Sequence, residues 1–110
     1  MTEYTPSNWV VIKITGDDPH YRVLGGWMGG YLYGDSWRIN SGIVRVDDSG
    51  EDWFFYGSSG SVYRCSKDRY GLKMSNAPVF ASLQRMHGGK VSLMPVDTNW
   101  LEMDWIIQDE

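Results

Sequence analysis

The stretch DWFFYGSSGSVYRCS, residues 52–66, decides how this chain is read. Residues 52–56 are mostly aromatic, which suits a pleated, half-buried surface, and Gly57-Ser58-Ser59-Gly60 is a cluster of turn formers. Residues 61–66 return as a second strand, so the stretch is a β-hairpin. Upstream, Asp47-Asp48-Ser49-Gly50 makes another turn, and residues 36–46 are extended by composition. Three consecutive strands with turns about ten residues apart make an antiparallel meander.

Toward the N-terminus, residues 9–15 (WVVIKIT) form a short apolar, β-branched run closed by Gly16-Asp17-Asp18-Pro19, and residues 21–24 read as a further strand. Residues 25–34 (GGWMGGYLYG) then set five glycines among large side chains, a pattern shared by a glycine-broken strand and an ordered loop. Toward the C-terminus, Asn76-Ala77-Pro78 opens a helix, because Asn caps orphan N–H groups and Pro is tolerated in a first turn. Val79, Phe80, Leu83 and Met86 fall near one face of it, and Gly88-Gly89 ends it. Residues 90–94 resume a strand. Leu101, Met103, Trp105 and Ile107 then recur at every second position, the period of a half-buried strand.

The elements sum to a strand-rich α+β domain spanning residues 1–110: an antiparallel twisted sheet or small open barrel containing the meander, with one covering helix near residues 77–87. A chain of 110 residues is the size of one domain, and 42% apolar with 22% charged residues is a globular balance. The single Cys65 cannot form an intramolecular disulfide, so the expected location is the cytoplasm. No run is long enough to cross a bilayer, and residues 1–7 lack the features of a secretory signal, so no membrane partner is expected. Exposed sheet edges are blunted by charge or paired with another copy, which leaves a homo-oligomer open.

Net charge is −4, which argues against duplex nucleic acid as a partner, since that binding draws on an excess of cations. The sum hides a layout. Residues 61–96 carry six bases (Arg64, Lys67, Arg69, Lys73, Arg85, Lys90) against Asp68, for +5, while residues 97–110 carry five acids and no base, for −5. Gly57-Ser58-Ser59-Gly60-Ser61 offers N–H groups and hydroxyls for an anion nest just before that basic segment, though it lacks a P-loop ending and its placement between two strands reads first as a hairpin turn. Ser58, Ser59, Ser61, Tyr63, Arg64, Lys67, Arg69 and Tyr70 are therefore the candidate anion-binding residues, the cations neutralising phosphate and the rings stacking on a base. A second candidate surface is Trp27, Tyr31, Tyr33, Trp37 and Arg38, residue types that dominate interface centres, although a domain this small must place its rings somewhere and core packing is the first reading.

Two distant histidines, His20 and His87, and one cysteine give no metal-ligand spacing, and the paired acids flank turns, so neither metal nor cofactor is expected. No catalytic motif surrounds Cys65 or any serine, and Cys65 in a strand reads as a buried, inert thiol.

Residues 27–32 (WMGGYL), 34–42 (GDSWRINSG), 57–65 (GSSGSVYRC), Lys67-Asp68 and Tyr70-Gly71-Leu72 together resemble small uncharacterised proteins of tailed bacteriophages, over about the central half of the chain. The resemblance implies action in the cytoplasm of an infected bacterium and implies no catalytic residue. The expected function is a non-enzymatic, phage-type accessory protein that acts by binding, either inhibiting a host protein or sequestering a small anionic ligand such as a nucleotide. The alternatives are a virion structural or assembly protein and a small hydrolase using Cys65 or a serine with His20 or His87.

Overall fold

Strand β2, Asn8–Ile14, is apolar in continuous run because both of its faces are covered: Trp9 and Val11 enter one buried cluster, Val10 and Ile12 another. The computed structural model describes residues 2–16, 19–28 and 36–105. β2 lies inside a four-stranded sheet of order β4-β3-β2-β8, built with β3 (His20–Trp27), β4 (Ser36–Ile39) and β8 (Val91–Leu93). The expected meander forms a second four-stranded sheet of order β1-β7-β6-β5, in which β5 is Ile43–Asp48, β6 Asp52–Gly57 and β7 Val62–Ser66. The short β1, Glu3–Tyr4, runs parallel to β7 with Tyr4 opposite Tyr63; all other strand pairs within the two sheets are antiparallel. The fold is thus strand-rich α+β, with two sheets and no closed barrel.

Between the sheets lies an aromatic core. Trp9, Val11, Tyr21 and Val23 from the β2-β3 side meet Ile43, Val46, Phe55, Tyr63 and Cys65, and Trp100 and Trp105 complete the cluster. Most rings meet edge-on or tilted, as Trp9 on Phe55 at 5.3 Å between centroids and Trp9 on Tyr70 at 4.7 Å. Helix α1, Ala77–His87, closes the outer face of the β2 sheet through Val79, Phe80 and Leu83. Met86, expected on the same face, is instead 75% exposed. The helix ends on Gly88 in the left-handed conformation, as its sequence predicted.

Three expectations change. Residues 36–46 are not one extended run: the chain breaks at Asn40-Ser41-Gly42, so β4 joins one sheet and β5 the other. Asn76 stands at the helix N-cap position without a side-chain cap, because its amide is spent in a buried network. There its Oδ1 accepts from Asn8 Nδ2 (2.9 Å) and the Lys73 N–H (2.8 Å). The alternating tail forms no strand over residues 101–105. Trp100–Glu102 is a 3-10 turn, and Trp100 and Trp105 stack at 6.1 Å and 17° to plug the core, while Leu101 is exposed. Ile107 lies outside the described residues.

Candidate functional site

The break between β4 and β5 is where the two sheets meet, and its residues are polar. Asn40 continues the β3-β4 ladder by two hydrogen bonds to one residue: its N–H donates to the Val23 carbonyl (3.0 Å), and its Oδ1 accepts the Val23 N–H (2.8 Å). That second bond fixes which amide atom is which. Nδ2 is then left as a donor with no protein partner among the described residues, in a residue only 2% exposed. Buried donors of this kind are costly unless an acceptor reaches them.

Two residues further, Gly42 takes φ 133° and its carbonyl accepts the Ser58 N–H at 2.9 Å, tying the switch to the β6-β7 turn. Ser59 donates its N–H to Ser41 Oγ (2.9 Å), and the Ser41 and Ser59 hydroxyls are 3.0 Å apart. Gly57 leaves room for the convergence: a Cβ there would stand 3.0 Å from Ser41 Oγ, 3.2 Å from Ser61 Oγ and 3.5 Å from Asn40 Nδ2. Hydrogen-bonding groups from the sheet switch and from the serine turn thus meet around one bare α-carbon.

Above them opens a cleft of about 570 Å³, within the usual size of small-molecule sites. Asn40, Ser41, Ser59 and Ser61 form one wall, and Arg22 and Arg38 belong to the same lining. Tyr63 and Tyr4 line it too, 5.1 Å apart between ring centroids. Alternation on β3 sets Arg22 opposite the core residues Tyr21 and Val23; it belongs to the lining at a position beyond the end of the β3-β4 pairing, and its Nε donates to His20 Nε2 (2.8 Å). Arg38 lies over the Tyr4 ring at 4.5 Å from its centroid. The ion pairs among the described residues engage Arg45, Arg64 and Lys67, so neither cleft arginine is neutralised there by a carboxylate. Burial pushes the Tyr63 hydroxyl up to about 12, with the charge of Arg38 working against that shift.

The sequence candidates separate. Ser59 and Ser61 line the cleft, Ser58 anchors their loop, and Tyr63 contributes from below at 1% exposure, so it offers contact but no open stacking face. Arg64 and Lys67 are elsewhere: Arg64 Nε pairs with Asp52 at 2.8 Å, and Lys67 Nζ pairs with Asp48 at 2.6 Å and sits over Trp53. The carboxyls of Asp48 and Asp68 are held below the ordinary value, Asp48 chiefly by Lys67 and Asp68 by the Ser66 hydroxyl. Arg69 is exposed and lends its carbonyl to the Trp9 N–H. Tyr70 is half-buried against the core; its hydroxyl donates to the Met94 carbonyl and accepts the Val11 N–H, and burial pushes it up to about 12.

Of the second candidate surface, Trp27 is half-buried beside Tyr4, Trp37 is 52% exposed, and Arg38 belongs to the cleft. Tyr31 and Tyr33 lie outside the described residues. Cys65 is fully buried and its thiol is pushed well above the ordinary range by that burial, the state of an inert thiol. Among the described residues no group of three or more His, Cys, Asp or Glu could hold a metal ion, and no helix is long and apolar enough to cross a membrane.

Arg22, Asn40 and Ser41 carry no local signal that links them to the serine turn. They are distant from it in sequence, and only the sheet topology brings them to it. Comparison of the chain with protein families, characterised proteins and solved structures finds no match.

Proposed function

We propose that the chain is a non-enzymatic binding protein whose inter-sheet cleft takes a small oxyanion. The observation that carries this reading is the buried, unpartnered Nδ2 of Asn40 in a cleft lined by two arginines that, among the described residues, pair with no carboxylate. Guanidinium forks, an amide N–H and serine hydroxyls are the donor set that phosphate and carboxylate oxygens require. The basic segment after the serine turn contributes little, because Arg64 and Lys67 are already paired.

Binding rather than bond-making is favoured by His20. Its Nε2 lone pair accepts from Arg22, which places the ring proton on Nδ1 and leaves that histidine no free lone pair for taking a serine proton. In the phage-type setting that the sequence resembles, the role would be sequestration of a small anionic ligand in an infected cell.

Thermal unfolding in the presence of inorganic phosphate, sulfate and nucleotides tests the reading. A ligand at 100-fold its Kd stabilises the native state by about 2.7 kcal/mol, so the midpoint rises by several degrees. Arg38→Ala and Asn40→Asp are expected to lose at least ten-fold in affinity; the new carboxylate would still accept the Val23 N–H while presenting an acceptor to the anion. Absence of a shift with any of these anions on the unmutated protein would overturn the proposal.

A further inference from the structure

The cleft does not end at Arg38. A second cavity of about 470 Å³ shares Tyr4 and Arg38 with the first, so the two are compartments of one groove on either side of that cation–ring pair. Their chemistry differs. The first holds Arg22, Asn40 and the serine hydroxyls; the second holds Trp27, Glu3 and Thr5 and, among the described residues, contains no cation besides the shared Arg38. Trp27 stands edge-on to Tyr4, at 6.4 Å and 73°, and is only half-buried.

We infer that the groove takes a nucleoside monophosphate, with the phosphate in the Arg22–Asn40–serine compartment and the base in the Tyr4–Trp27 compartment. This rests on the oxyanion reading above and adds a direction and a ligand class to it. The carboxylate of Glu3 repels a second anion from the aromatic end, so the phosphate has one place to go. Arg38, already over a ring, sits at the junction, where it reaches the phosphate on one side and a stacked base on the other. Every base has a π-face, so Tyr4 and Trp27 reward the base without selecting its identity. Trp37 also borders the aromatic compartment, but strand alternation turns its side chain away from that of Arg38, and its indole lines an apolar hollow with Val79, Leu83 and Met86 of the helix.

The test is calorimetric titration of the unmutated protein with inorganic phosphate, ribose 5-phosphate, AMP and adenosine. AMP is expected to bind about ten-fold or more tighter than ribose 5-phosphate, with upfield shifts of its base protons in the NMR spectrum from stacking. Trp27→Leu is expected to shrink that advantage while leaving phosphate affinity unchanged; the ligand series alone decides the matter if this variant does not fold. Equal affinity for phosphate, ribose 5-phosphate and AMP would overturn the base compartment and leave the oxyanion site standing. No binding by any of the phosphates would remove both.

Discussion

Asn40 shows how a single side chain serves fold and site together. Its Oδ1 finishes the ladder opposite Val23 and its Nδ2 is what remains, so the donor's direction is set by a backbone bond made for structural reasons. Burial also marks Tyr63 and Tyr70, both pushed up to about 12 chiefly by desolvation. A hydroxyl whose folded value is raised ionises more easily in the unfolded chain, so the stability tied to it is complete below about pH 10 and lost as pH rises toward 12. Urea midpoints are therefore expected to fall steeply across that window, in parallel with phenolate absorbance. A midpoint flat to pH 12 would mean that neither hydroxyl is held by burial.

Among the strands and helices, the sequence was legible where one local rule governed. The β6-β7 hairpin, the β2 run and helix α1 follow from turn formers, β-branched residues and a left-handed glycine, and all three form near their expected bounds. Tertiary needs overrode local pattern elsewhere. The tail alternates like a strand, yet the core required two stacked indoles, and Trp100 and Trp105 reach it only from a 3-10 turn and an irregular segment. Asn76 has the chemistry of a cap but is claimed by Asn8 of β2. That network also explains Gly26 in β3: a Cβ there would lie 2.1 Å from Ser75 Oγ and 3.1 Å from Asn8 Oδ1. Gly26→Ala is expected to cost about 1–3 kcal/mol by chemical denaturation, because the neighbour is a fixed, hydrogen-bonded side chain. A cost below a few tenths would show that Ser75 can move aside freely.

In the assembled fold, the site is a product of topology. The serine turn could be picked out from its own residues, and its surroundings could not, because the sequence neighbours Arg64 and Lys67 pair elsewhere while Arg22 and Arg38 arrive from the opposite sheet. The +5 segment is a property of the chain order; the cationic cleft is a property of the fold. Local pattern therefore picked out a turn that lines the cleft and cations that pair elsewhere. An NMR titration of the backbone amides with inorganic phosphate separates the two directly. Shifts are predicted to concentrate at Arg22, Asn40, Ser41, Ser59 and Ser61. Shifts concentrated at Arg64, Lys67 and Arg69, with the cleft amides unmoved, would contradict a cleft-bound anion.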